Sequence, residues 1–131
     1  MPPDEARASA AAWLAVAEED LAVAALILRE GRSAGMASFH AQQAGEKALK
    51  AYLAWLGHSP IPRTHDLAAL ADLAVAAGGR LLPEKALTLL SPYAVAARYP
   101  VVEPVSRAEA QAALQAAKRL VKAVQERIEP G

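Results

Sequence analysis

Small apolar residues recur along this chain at intervals of three and four, between glycines and prolines that interrupt the pattern. In the stretch from Ala34 to Gly57, Ala37, Ala41, Ala44, Ala48 and Ala51 fall on one stripe that ends at Trp55. A period of 3.6 is the signature of an amphipathic helix, and a seam of alanines lets a second helix backbone approach closely. Alanine is also the best helix former, because it has no side-chain entropy to lose. β-Branched and aromatic residues are sparse, which argues against a sheet. The expected fold is therefore all-α, an antiparallel four-helix bundle with an additional short helix.

The punctuation divides the chain into segments. A first helix is expected from about Asp4 to Glu30, ending at Gly31, with Trp13, Ala17, Leu21, Ala24 and Leu28 inward. The alanine-seamed second helix starts near Ala34 and stops at Gly57. Pro60 and Pro62 mark a loop. A third helix starts around Thr64 to Asp66, buries Leu67, Leu70, Leu73 and Ala74, and ends at Gly78-Gly79. A short fourth helix begins at Pro83, a favoured first-turn residue, and Pro92 kinks or splits it. Pro100 and Pro104 bound an extended connector. The last helix opens on a capping box, Ser106-Arg107-Ala108-Glu109. Its stripe runs Ala110, Ala113, Leu114, Ala117, Leu120, Val121, Val124, Ile128, with Lys118, Lys122 and Arg127 off it. Short connections favour antiparallel neighbours.

At 131 residues the chain fits one domain, residues 1–131, large enough to bury a core without disulfide staples. Lys+Arg and Asp+Glu both number 14, so no global field draws the molecule to nucleic acid or to acidic lipid; a local basic patch remains open. Cysteine is absent, which excludes disulfides, thiolate zinc sites and thiol catalysis. The lack of asparagine and the wealth of alanine, arginine and proline fit a thermophilic source, although GC-rich coding would bias composition the same way. No signal peptide opens the sequence and no apolar run approaches a membrane span, so the expected location is cytoplasmic, with no membrane partner.

Three places carry candidate chemistry. On the second helix His40, Gln43, Lys47 and Lys50 step by three or four and share a strip, with Glu46 beside it. The plain reading is a solvated face with a Glu46–Lys50 ion pair worth roughly 0.2–0.5 kcal/mol. The functional reading is a polar strip that holds phosphate or base edges. Thr64-His65-Asp66 sits at a loop-to-helix junction. It is either an N-cap with His65 a bystander, or an anion site with His65 as its titratable neighbour. Arg98-Tyr99-Pro100 precedes the connector. Arg98 either pairs with a carboxylate or holds phosphate, and Tyr99 either packs on the bundle or stacks on a base. His40, His58 and His65 lack the helical spacing of a metal site, no phosphate loop is present, and no cofactor is expected.

Together these segments resemble a HEPN domain. The residues that carry the resemblance are Trp13 and Asp20-Leu21, the string from Phe39 through Gln42-Gln43, Glu46-Lys47 and Lys50 to Ala51, then Thr64-His65-Asp66-Leu67 and Arg98-Tyr99-Pro100. They span roughly Ala11 to Arg127 in the expected order. The resemblance implies a bundle of four main helices plus a short one, usually dimeric, similar to the C-terminal helical domain of aminoglycoside nucleotidyltransferases. It also implies a partner, a minimal nucleotidyltransferase encoded alongside in a toxin–antitoxin-like pair. On this reading Gln43, Lys47, Lys50, His65, Arg98 and Tyr99 contact a nucleotide or RNA. A second branch of the family consists of metal-independent ribonucleases whose site forms across the dimer. That branch uses an Arg followed after a short gap by a His. Here no His lies beyond Arg98, Arg63 precedes His65 too closely, and Arg32 lies too far before His40. Tyr99, a phenol, is a poor base at neutral pH. The ribonuclease toxin is thus the alternative reading, and a structural oligomerisation module is the third.

Overall fold

The computed structural model describes residues 2–94 and 104–128. Among them lie five α-helices: α1 (Asp4–Arg29), α2 (Ala34–Trp55), α3 (Leu67–Ala76), α4 (Glu84–Leu90) and α5 (Arg107–Ile128). A 3₁₀ turn over Ser91–Ala94 continues α4. This is the all-α bundle expected, with α4 as its short member. Pro92 splits the fourth segment, and the helix gives way to the 3₁₀ turn at Ser91. No helix among the described residues is long and apolar enough to cross a membrane.

The caps follow from the local sequence. Ser33 Oγ accepts from the Met36 amide at 3.1 Å, and Asp66 Oδ1 accepts from Ala69 at 3.1 Å. At the start of α5, Ser106 and Glu109 exchange two bonds, each 3.0 Å, closing the capping box. The helix ends are equally regular. Beyond α1, the Gly31 and Arg32 amides donate back to Leu28 and Ile27, and beyond α2 those of Gly57 and His58 donate to Ala54 and Leu53. Both are Schellman motifs, and they require the positive φ of Gly31 (67°) and Gly57 (81°).

The helix α2 is the centre of the molecule, packing against α1, α3, α4, α5 and the 3₁₀ turn. Ala37, Ala41, Ala44, Ala48 and Ala51 are all buried, as the seam predicts. A second face is buried as well. Gly45 lies where an added Cβ would sit 3.0 Å from Leu90 Cδ1 and 3.1 Å from Leu120 Cδ2, so α4 and α5 close down on it. Leu49 and Leu53 are fully enclosed, and Gln42, Glu46 and Lys50 lie among them, 0, 2 and 6% exposed. The solvated-face reading of Glu46 and Lys50 is thereby corrected. The helix is covered on too many sides for Glu46 and Lys50 to stay in water, while His40, Gln43 and Lys47 are half-buried.

Candidate functional site

The polar side chains buried along α2 need partners, because an unpaired group in the interior costs more than its hydrogen bond returns. They find them in two directions. On the α1 side, Asp20 supplies one carboxylate to two residues of α2. Its Oδ1 lies 3.0 Å from His40 Nδ1, and its Oδ2 accepts from Lys47 Nζ at 3.3 Å. His40 and Lys47 are two turns apart, so the carboxylate spans the gap between them. Lys47 also donates to Gln43 Oε1 at 3.1 Å, and Gln43 donates to Gln42 Oε1 at 2.8 Å. Gln42 Nε2 reaches the backbone oxygen of His65 at 3.4 Å, tying the loop before α3 to the helix.

On the other side, His65 Nδ1 lies 2.8 Å from Glu46 Oε1. Glu46 Oε2 accepts from Lys50 Nζ at 3.0 Å, and that ammonium stands 5.6 Å from the centre of the Trp13 ring. A cation over an indole face gains from the ring quadrupole, most where water is excluded. The result is one unbroken run of polar contacts from His40 to Trp13, assembled from α1, α2 and the loop before α3.

Charge decides what this run can do. Asp20 and Glu46 balance Lys47 and Lys50, leaving no surplus cation while the imidazoles are neutral. An ionised carboxylate only accepts, so each imidazole presents its Nδ1–H inward and turns Nε2 away. Nε2 of neither ring has a hydrogen-bond partner among the described residues. The His65 side chain is 48% exposed and that of His40 26%. Each Nε2 is an acceptor when its ring is neutral and a donor when it is protonated. A histidine oriented by a carboxylate in this way is also poised for proton transfer.

Of the residues singled out in the sequence, Gln43, Lys47, Lys50 and His65 fall in one network. Lys47 keeps a partly exposed side chain, while the Lys50 ammonium is enclosed between Glu46 and Trp13 and has little surface to offer a ligand. His65 is no bystander to an N-cap, since Asp66 makes the cap and His65 holds Glu46. Arg98 and Tyr99 lie outside the described residues. Sequence reasoning gave no binding role to Asp20 or Gln42. A signal for Asp20 was present: it falls three residues after Ala17 and four before Ala24, on the inward stripe of α1. For Gln42 and Glu46 the signal was Gly45, whose missing side chain marks a second buried face.

Residues 10–128 match the model of the HEPN domain family. The chain belongs to the HEPN family. Among curated proteins nothing matches it. Among solved structures, this HEPN domain is similar to TT1696 from Thermus thermophilus, with 32% sequence identity and a TM-score of 0.74 over 90% of this chain and 97% of that one. It also shares its fold with ST0689, an archaeal HEPN homologue, at 24% identity and a TM-score of 0.69, covering 92% of this chain and 98% of the other. The family match covers both the Asp20 side and the His65 side of the network, so the whole candidate site lies within the HEPN domain.

Proposed function

We propose that this HEPN domain binds a phosphate-bearing ligand, a nucleotide or an RNA phosphodiester, along α2, and does so as the partner of a minimal nucleotidyltransferase in a toxin–antitoxin-like pair. One observation carries the ligand half. Two imidazoles are anchored through Nδ1 by Asp20 and Glu46, leave Nε2 outward, and stand on the same network as the partly exposed Lys47 and the amide of Gln43. Apolar side chains left in solvent on α1, Val16, Val23 and Leu26, support a homodimer.

Titration of the purified protein with ATP, and separately with a short single-stranded RNA, tests the ligand half. Binding and a rise in melting temperature at millimolar ligand are expected, both weakened in Lys47→Ala and in His65→Ala. No response to either ligand would end this reading. Co-purification with the product of an adjacent nucleotidyltransferase gene tests the other half.

The His65–Glu46 contact also favours the second reading, a metal-independent ribonuclease. A carboxylate-held imidazole is the geometry of a general base, able to take the proton of a ribose 2′-hydroxyl as that oxygen attacks the neighbouring phosphorus; the P–O5′ bond breaks, the 5′-oxygen leaves with a proton from water, and a 2′,3′-cyclic phosphate remains. RNA cleavage that survives EDTA and disappears in His65→Ala would support it. Intact RNA after incubation with the wild-type protein would rule it out.

A further inference from the structure

A second feature lies away from this network, where α3 and α4 diverge. Between them runs a groove of about 350 Å³. Its lining includes the small side chains of Ala68 and Ala71, which leave the space, and the apolar Leu82 and Leu87. Val75 lines it at 41% exposure, and Leu81 stands in the α3–α4 connection at 77%, the highest of any large apolar residue described. Single exposed leucines are common and need no explanation. This one differs in how its backbone is held. The Gly79 amide donates to Ala74 O at 2.8 Å, the Arg80 amide to Tyr52 Oη at 2.7 Å, and Arg127 donates to Leu81 O. Three successive residues are thus tied to α3, α2 and α5. The connection cannot fold Leu81 inward without breaking these ties.

The charged residues of the groove are Asp72 and Glu84. Both are exposed, and neither enters an ion pair among the described residues. No cation lines it. Arg80 and Lys85 are neighbours in sequence but are not part of the lining. Electrostatic complementarity therefore calls for a cationic occupant. A second copy docked groove to groove about a two-fold axis would bring four carboxylates together without a counter-charge. The basic outer face of α5, with Lys118, Arg119 and Lys122, does not fit either. Its exposed positions hold Arg, Lys, Gln, Glu and Ala, with no large apolar side chain to fill the space.

We infer that the α3–α4 groove is a docking site for a segment of another protein, an amphipathic helix with large apolar side chains on one face and Lys or Arg flanking them. Leu81 is the preformed contact that packs against the apolar face, and Asp72 and Glu84 pair with the flanking cations. Helix-in-groove recognition of this kind reads apolar anchors at helical spacing.

The probe is a synthetic amphipathic peptide with leucines on one helical face and lysines beside them, compared with the same peptide carrying glutamates for lysines. Titrated into ¹⁵N-labelled protein, the lysine peptide should shift amides of α3, α4 and the Leu81 connection and leave those around His40 and Lys47 unmoved. The glutamate peptide should bind at least tenfold more weakly. Leu81→Ala should cost the lysine peptide about tenfold in affinity, a typical loss for an interface anchor. The double variant Asp72→Asn/Glu84→Gln should abolish discrimination between the peptides. Leu81 is 77% exposed, and an unchanged melting temperature of Leu81→Ala will show that its fold is intact. Absence of groove shifts with the lysine peptide overturns the inference. So does a dimer, seen by light scattering, that Leu81→Asp converts to monomer, because the occupant would then be a second copy.

Discussion

Nδ1 of His65 lies 2.8 Å from Oε1 of Glu46, whose side chain is 2% exposed, while the imidazole itself is 48% exposed. One end of the pair belongs to the interior and the other to the solvent. Whatever meets the exposed edge of His65 acts, through that contact, on a carboxylate that also holds Lys50.

Removing Glu46 leaves the Lys50 ammonium enclosed without its counter-charge. Glu46→Ala should therefore destabilise the fold by about 3–5 kcal/mol, the usual cost of breaking a buried pair. The double variant Glu46→Leu/Lys50→Met should recover most of that loss, because no charge is left inside. Urea unfolding of the wild type, Glu46→Leu, Lys50→Met and the double variant closes the cycle. A double variant as unstable as the sum of the singles would show that the pair is not coupled.

Asp20 joins α1 to two residues of α2, and its side chain is 15% exposed. Asp20→Ala frees Lys47 and His40 together. A stability loss of about 1–3 kcal/mol is expected from the lost charge-assisted bonds. ATP affinity should rise on the proposed function, because the carboxylate no longer offsets Lys47. Isothermal titration of the variant reads the change directly.

At Gly79 an added Cβ would lie 2.8 Å from the carbonyl oxygen of Ala74, 2.8 Å from Leu56 Cδ1 and 2.9 Å from Tyr52 Oη. The first of these atoms is backbone and cannot swing aside. Gly79→Ala should cost about 1–3 kcal/mol, as overpacking does, measured as a fall in the denaturation midpoint. Gly45→Ala meets only the ends of three leucines, at 3.0, 3.1 and 3.9 Å, and gains helix propensity, so it should be the milder change.

The capping box predicts an acid limb. Hydrogen bonds from the Ser106 amide and hydroxyl hold the Glu109 carboxyl below its ordinary value of 4.5. A depressed value in the fold means that the stabilisation is present above about 4.5 and is lost as pH falls through the lower, folded value. The difference in melting temperature between wild type and Glu109→Ala should therefore shrink as the pH is taken below 4.5. Tyr93 gives the opposite limb. Burial, and secondarily the Glu109 charge, push its phenol above 10.0. That contribution is present below pH 10 and is lost as pH rises through the folded value. In Glu109→Gln the Tyr93 titration, followed by ¹³Cζ NMR, should move down without reaching 10, since burial is the larger cause.

The helices, their caps and the alanine seam were legible because each is written locally. Ser106 and Glu109 are three residues apart, and Ala37 to Ala51 repeat with the helix. The burial of α2 was not, because it depends on how many neighbours surround one helix. A strip that includes His40, Gln43, Lys47 and Lys50 looks solvated until α1 and the loop before α3 close over it. Then Lys47 turns to Asp20 and Lys50 to Glu46. The partners lie 27 and 4 residues away in sequence, and only the nearer pair was visible from spacing. The family likeness was legible for the same local reason, since its diagnostic strings are short and contiguous.

The enclosure of α2 has a kinetic meaning as well. Its amides can meet solvent deuterons only when the surrounding helices part, so they should exchange at the rate of whole-molecule opening, while α3 and α4, held along fewer flanks, release theirs earlier. A ligand seated on Lys47 would thus be gripped by the slowest-breathing part of the protein. Its recognition would resemble a key entering a fixed lock more than a loop folding around its target.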